Sequence, residues 1–326
     1  MTLDILLPTF NRAHLVARTL DSLLRANRPP DLAVTIYVID NNSADNTRKV
    51  VGEYQARSAN IHYLLEVEQG VSAALNSGIR AGTSELIAVL NDDEEIDPHW
   101  LEVIQKFFAE TSFDFASGPY QPNWSQPKPD WITREFGAIV GWVDGGEIPR
   151  EYRPEFNAMP MGGNAVFRRR IFEKVGLYNV ALGRFAQGLG CCEDEELFRR
   201  ILAANFRGMY LPDLIIYHYV PPERMTRAYH RRWCWDRGCS SGLLARGLKS
   251  NVPELFGLPR WEIRRAAIGA LTALKGILGL APDSAAFHGE LYLRDLLGFA
   301  YGKFFRRAPS PQPTDLPRAR TPEPAR

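Results

Sequence analysis

Residues 34–54 read VTIYVIDNNSADNTRKVVGEY. Val34 to Ile39 is a β-branched apolar run, Asp40 to Ser43 is a cluster of small polar residues, and Asp45 to Tyr54 spaces its apolar side chains for a helix. The order is strand, polar turn, helix. It is the same upstream, where Leu3 to Leu7 ends at Pro8 and the segment Ala13 to Leu24 sets Leu15, Val16, Thr19, Leu20, Leu23 and Leu24 at helical spacing. It returns downstream with Ile61 to Leu65 before Val71 to Ala81, and with Glu85 to Leu90 before Pro98 to Phe108. Strands alternating with helices in this way predict right-handed βαβ units on a mostly parallel sheet, an α/β class. Ligands of open sheets of this kind bind beyond the carboxyl ends of the strands. The loops of interest are therefore Pro8 to Arg12, Asp40 to Asp45 and Asn91 to Asp97.

After Phe113 to Ser117, a further apolar run, the pattern breaks. Gly118 to Pro160 is rich in Pro, Trp and Gly without strong periodicity, and reads as a long, partly mobile loop region over the site. Asn164 to Arg168 reads as a strand leading into a short helix at Arg170 to Val175. Glu193 to Ala204 has Leu197, Phe198, Ile201 and Leu202 on one helical face, and Leu214 to Val220 is another strand. From Glu223 the signals are helical: Glu223 to Leu248, Trp261 to Leu280 and Ser284 to Phe305. Beyond Arg307 the prolines at 309, 311, 313, 317, 322 and 324 predict a disordered tail. The expected organisation is an α/β domain over 1–220, a helical C-terminal extension over 221–306 and a Pro/Arg-rich tail over 307–326.

With 326 residues, 45% of them hydrophobic, the chain can bury a full core. Its formal charge of +1 gives no global reason to expect nucleic acid. The four cysteines, Cys191, Cys192, Cys234 and Cys239, form neither a disulfide framework nor a paired zinc pattern, which suits a reducing cytoplasm. MTLDILLPTF has no basic start, long apolar stretch or small-residue cleavage site, so export is not expected. The longest apolar stretch, Ala266 to Leu274, is closed by Arg265 and Lys275 and falls short of a membrane span. Arg224, Arg227, Arg231 and Arg232 interleave with Tyr229, Trp233 and Trp235 on one helix. That composition suits diphosphates or anionic headgroups, or else a solvated basic face over core tryptophans. Ile263, Ala267, Leu271, Leu274 and Leu278 lie near one face of the next helix, which could meet a membrane surface, the catalytic domain or a second subunit in a homodimer.

Four segments carry chemistry: Pro8-Thr9-Phe10-Asn11-Arg12, Val38-Ile39-Asp40-Asn41-Asn42-Ser43, Gly70-Val71-Ser72-Ala73-Ala74-Leu75-Asn76-Ser77-Gly78, and Leu90-Asn91-Asp92-Asp93. In this order and spacing they resemble the family-two glycosyltransferases, whose nucleotide-binding domain has the GT-A fold; the resemblance runs from Leu3 to about Val220. It implies that Pro8, Thr9, Phe10, Asn11, Arg12, Asp40, Asn42, Asn76 and Asp92 bind the nucleotide of a nucleotide-diphosphate sugar. Asp40 could instead, with Asn42 and Ser43, cap the next helix. The family's usual Asp-x-Asp stands here as Asn91-Asp92-Asp93, so Asp93 is the expected direct ligand of Mn2+ or Mg2+, with Asp92 on ribose or water. A hard divalent cation on carboxylate oxygen neutralises a departing diphosphate. His218 is a second candidate metal or phosphate contact, by resemblance or, alternatively, a structural histidine.

Acids open the helix at Glu193 to Glu196, more than capping requires. The matching position in the family holds the base that deprotonates the acceptor hydroxyl, which assigns Asp194 as base and Glu193 as the residue orienting the acceptor. One base opposite the leaving diphosphate implies a single displacement with inversion. Met161-Gly162-Gly163-Asn164 resembles the family's segment beside acceptor and donor sugar, which points to Gly163 and Asn164, although a polar-capped turn would read the same. The function implied is inverting glycosyl transfer to a saccharide or lipid-linked acceptor in cell-surface polysaccharide or glycolipid synthesis, in the cytoplasm or at the inner face of the membrane. A catalytically silent nucleotide-sugar or carbohydrate-binding module is the alternative, argued by Asn91. Nicotinamide-dependent oxidoreductases and sugar-nucleotide pyrophosphorylases want glycines in the first loop, and Pro8 to Ala13 has none.

Overall fold

Leu3, Ile5 and Leu7 point to one side of their strand and Leu6 to the other, and all four are fully buried. A strand apolar on both faces belongs inside a sheet covered by helices on both sides. The computed structural model describes residues 1–153, 156, 160, 162–184, 190–246 and 252–306. Its first half runs β1 (Thr2–Thr9), α1 (Ala13–Arg25), β2 (Ala33–Asp40), α2 (Thr47–Gln55), β3 (Ile61–Leu65), α3 (Val71–Ala81), β4 (Leu86–Leu90), β5 (Glu94–Ile96), α4 (Trp100–Glu110), β6 (Phe115–Ser117) and β7 (Tyr120–Trp124). A 3₁₀ helix at Arg134–Val140 precedes β8 (Arg150–Glu151), β9 (Asn164–Arg168), α5 (Arg170–Val175), α6 (Glu193–Ala203), β10 (Gly208–Tyr210) and β11 (Ile216–Val220). A second 3₁₀ helix, Pro222–Met225, leads to α7 (Arg227–Ala245), β12 (Glu254–Leu255), β13 (Leu258–Pro259), α8 (Arg260–Ile277) and α9 (Asp283–Phe304).

The main sheet has the order β3-β2-β1-β4-β9-β6-β10-β8. β1 to β4 are parallel, as the βαβ reading predicts, while β9 runs antiparallel between β4 and β6. This reversal brings the start of β9 to the edge where β1 and β4 end. One core layer packs Leu3, Ile5, Val34 and Ile36 against Val16 and Leu20 of α1 and Trp100 and Ile104 of α4. The other packs Leu6, Ile39, Ile87 and Val89 against α3 and against Phe172, Leu197 and Phe198 of α5 and α6. Asp4 interrupts the apolar run without being orphaned, because Arg169 Nη2 at 2.7 Å and Ser84 N at 2.8 Å both donate to its Oδ2.

The region read as a loop, 118–160, is partly ordered. β7 pairs in parallel with β11, and β11 pairs antiparallel with β5, so the acidic run after β4 enters a small three-stranded sheet. The helix expected from Glu223 is broken at Thr226, whose hydroxyl caps α7 by accepting from Tyr229 N at 3.2 Å; its expected end at Leu248 lies outside the described residues, as does the tail 307–326. α7 and α9 meet backbone to backbone: a Cβ at Gly238 would fall 2.2 Å from Asp295 O, and one at Gly302 would fall 2.1 Å from Cys239 O. Met225, Cys234, Phe287 and Leu291 join these helices to Val220 and to Ile139 and Val140 of the first 3₁₀ helix. The C-terminal helices thus sit beside the strand ends.

Candidate active site

A cavity of about 370 Å³ opens at the carboxyl ends of β1 and β4. Pro8, Thr9, Phe10 and Arg12 line it from the first loop, Asn91 to Glu94 from the loop after β4, and Gly162 and Gly163 from the approach to β9. Glu193 and Asp194 enter from the first turn of α6, His218 from β11, Arg224 from the second 3₁₀ helix and Trp233 from α7. Residues from distant parts of the chain, Asp93 and Asp194 among them, therefore face one space.

Two arginines hold the acidic pair. Thr9 Oγ1 donates to Asp92 Oδ2 at 2.8 Å, and Arg12 Nη1 donates to Asp92 Oδ1 at 3.0 Å and Asp93 Oδ2 at 3.3 Å. Arg224 Nη2 donates to Asp93 Oδ2 at 2.6 Å, while its Nη1 lies 2.7 Å from His218 Nε2. His218 Nε2 is 3.7 Å from Asp93 Oδ1. Burial pushes the Asp93 carboxyl up, but Arg224 and the other nearby cations outweigh it and hold the group below the usual carboxylate range. Burial pushes Asp92 the other way, above that range, against the opposing charge of Arg12. Burial also lowers His218 to about 3, with Arg224 and Arg184 adding to the effect, so the imidazole is neutral at pH 7.

Glu94 is fully buried and receives Asn91 N and Asn91 Nδ2, each at 2.7 Å. Burial first, then the charge of Asp93, push its carboxyl well above the ordinary range. The amide that replaces the family's first acid thus clamps a neighbouring acid.

Asp194 Oδ2 accepts from Gly162 N at 3.2 Å. A Cβ on Gly162 would sit 2.0 Å from Asp194 Oδ1, and one on Gly163 would sit 2.1 Å from Asn91 Nδ2, so both glycines are needed for this close approach. Burial raises Asp194 to about 6 against the opposing hydrogen bond from Gly162 and the charge of Arg184. Glu193 is raised to about 8, by burial and then by the charge of Asp194, and its Oε2 is buried without a hydrogen-bond partner among the described residues.

Other expected residues lie outside the lining. Asp40 is buried, accepting from Ser43 N and from Tyr63 OH, both at 2.8 Å, so its carboxylate shapes the turn after β2; it does not cap α2, which begins at Thr47, whose N–H donates to Asp45 Oδ1 at 2.9 Å. Asn11 Oδ1 accepts from Ala44 N at 2.7 Å, and Asn42 holds a left-handed turn at φ 67°. Asn76 exchanges two 2.9 Å hydrogen bonds with the backbone of Tyr178. Asn164 accepts from Trp100 Nε1 at 2.9 Å and donates to Leu214 O at 2.7 Å and Pro119 O at 3.2 Å. Both side chains are committed to backbone and tryptophan partners, which differs from the ligand contacts expected of them. Met161 lies outside the described residues.

Arg184, Tyr120 and Trp233 line the cavity without having been singled out as site residues. Arg184 and Tyr120 stand in stretches with no periodic signal. Of the basic cluster on the C-terminal side only Arg224 lines the cavity; Arg227 pairs with Asp283 and Arg231 with Glu290.

Glucosyl-dolichyl phosphate glucuronosyltransferase of Haloferax volcanii is 25% identical over 189 residues, 56% of this chain and 58% of that protein. Succinoglycan biosynthesis protein ExoM of Rhizobium meliloti is 25% identical over 245 residues, 74% of each chain. Across the first three curated relatives the match spans 58%, 43% and 33% of their length. Among solved structures, mannosyltransferase PcManGT from Pyrobaculum calidifontis, in complex with GDP-Man and Mn2+, superposes with a TM-score of 0.63 at 18% identity, covering 94% of this chain and 88% of that one. TarS 1-349 of S. aureus in complex with UDP-GlcNAc does so at 0.54 and 15%, covering 94% and 93%. At such identities the likeness is one of fold, and it is the GT-A fold. The family model described as Glycosyl transferase family 2 matches residues 4–176, from β1 through α5 with the strand ends that line the cavity, and the chain belongs to that family.

Proposed function

We propose that the chain is an inverting glycosyltransferase that moves a sugar from a nucleotide-diphosphate donor to an acceptor hydroxyl, in polysaccharide or glycolipid synthesis. The observation that carries this is the division of one cavity into an ion-paired part, Arg12 and Arg224 on Asp92 and Asp93, and a separate buried carboxylate, Asp194. Pro8, Thr9, Phe10 and Arg12 form the donor wall. Asp40, Asn11 and Asn42 hold the loops that shape it, Asn76 ties α3 to Tyr178, and Asn164 ties β9 to Trp100.

Among the described residues no group of three or more His, Cys, Asp or Glu side chains gathers as a metal cage. Asp93 would hold a divalent cation through carboxylate oxygen, and His218 Nε2, 3.7 Å from Asp93 Oδ1, would join it once Arg224, whose Nη1 lies 2.7 Å from that nitrogen, turns to the diphosphate. Mn2+ or Mg2+ held there would neutralise the leaving diphosphate. Arg224 and Arg12 add positive charge to the same oxygens. Asp194 takes the acceptor proton as the acceptor oxygen bonds to the anomeric carbon and the bond from that carbon to the diphosphate oxygen breaks, leaving a nucleoside diphosphate. Glu193 beside it orients the acceptor.

The test is a panel of nucleotide sugars screened for thermal stabilisation with and without manganese, followed by NMR of the product's anomeric configuration. Manganese-dependent stabilisation by one nucleotide family and an inverted product are expected. A retained anomeric configuration, or turnover unaffected by chelation, would overturn the mechanism.

A further inference from the structure

Trp261, Ala267, Ile268, Leu271, Leu274 and Leu278 fall on one arc of α8, about 140° wide at 100° per residue, and share it with Arg260, Arg264 and Lys275. Every one of these residues is exposed. Past the helix end the apolar surface continues through Leu280, 72% exposed. At the other end it meets the β12–β13 hairpin, whose tip is Phe256, 87% exposed. Phe256 sits at φ 52°, a left-handed conformation that costs a non-glycine residue about 1–2 kcal/mol. A contiguous patch of this size on a globular protein marks an interaction surface.

The charges choose the partner. No acidic residue lies on the arc. The acids of the neighbouring helix are committed elsewhere: Asp283 to Arg227, Glu290 to Arg231 and Arg294, Asp295 to Arg237 and Arg265. A second copy docked through this face would set Arg260, Arg264 and Lys275 near their own duplicates without a carboxylate between them. Anionic lipid headgroups meet both demands, pairing with the cations while the leucines and the hairpin phenylalanine enter the acyl boundary. Among the described residues no helix is long and apolar enough to cross a membrane, so the contact is made from one side.

We propose that the α8 arc and the 254–259 hairpin seat the protein on an anionic bilayer surface, with α8 lying in the plane of the interface. This docking does not depend on the transferase reading, and its test contains no donor. The full chain is floated with vesicles of phosphatidylcholine and with vesicles of phosphatidylcholine and phosphatidylglycerol. The proteins compared are the parent, a Leu271→Asp, Leu274→Asp pair, a milder Leu271→Ser, Leu274→Ser pair and an Arg260→Glu, Arg264→Glu pair, all at exposed positions. The parent is expected on the phosphatidylglycerol vesicles and in the supernatant with phosphatidylcholine alone. The aspartate and glutamate pairs should each lower partitioning about tenfold or more, with added salt weakening the parent. Phe256→Gly should reduce binding without lowering the melting temperature. Failure of the parent to bind, or binding unchanged in the paired variants, would overturn the proposal. So would sedimentation showing a parent dimer that the leucine variants dissociate, because the face would then belong to a second copy.

Discussion

Asp194 and Glu193 are adjacent in sequence, yet burial pushes both carboxyls up and Asp194 only to about 6. A base must be deprotonated to act, so kcat/KM should rise with pH up to about 6 and then level, and Asp194→Asn should lose that limb together with a factor of about 10²–10⁴. Rate profiles between pH 5 and pH 8 check this. Glu193 makes a stability prediction of the opposite kind. Its folded-state pKa of about 8 lies above that of the unfolded chain, so its contribution is fully present below the ordinary carboxylate value and is lost as pH rises through about 8. Glu193→Gln should therefore melt higher than the parent at pH 9 and match it near pH 4. Thermal melts at the two values decide, and a variant less stable at pH 9 would contradict the buried, unpaired Glu193 Oε2.

Elements explain which parts of this structure were legible in the sequence. β1 to β4 and α1 to α4 were readable because β1 and β4 bury both faces, β2 alternates buried and half-buried residues along most of its length, and the helices carry apolar residues at helical spacing; the loops that matter followed from the strand ends. The place of β9 was not readable, because its register depends on Asn164, which reaches Trp100, Leu214 and Pro119 far away in sequence. Asn164 and Asn76 therefore read as ligand contacts when their partners are backbone and tryptophan. Asn164→Ala takes the Asn164 partner from Trp100 Nε1 and Leu214 O, while Pro119 O still accepts from Ile216 N at 3.3 Å, and should cost about 1–3 kcal/mol per group left unpaired without raising KM for the donor. Denaturant melts and donor kinetics separate those effects. α7 was legible as a helix, but the face it buries was not, for another reason. It packs through glycine on α9 and so shows little amphipathic pattern, and Gly238→Val should overpack that contact at a cost of about 1–3 kcal/mol, seen as a lower melting temperature.

At the scale of the whole molecule, the sheet gathers loops from the first hundred residues, and α6, β11 and the C-terminal helices close the cavity from the other side. Arg224 is the clearest instance. The sequence shows it as one of several basic residues among aromatics, whereas the fold takes it alone to Asp93 and His218 and pairs its neighbours with acids of α9. Arg224→Met should weaken binding of nucleoside diphosphate, read by calorimetry. Its far-UV circular dichroism should match that of the parent.

The proposed mechanism gives two carboxylates that line one cavity different work, Asp93 on the diphosphate side and Asp194 on the acceptor side. The most direct measurement compares nucleoside diphosphate affinity and transfer rate in Asp194→Asn and Asp93→Ala. Asp194→Asn should bind the nucleotide within about twofold of the parent while transfer falls by about 10² or more, and Asp93→Ala should lose both. Undiminished transfer by Asp194→Asn, or undiminished nucleotide binding by Asp93→Ala, would contradict the account.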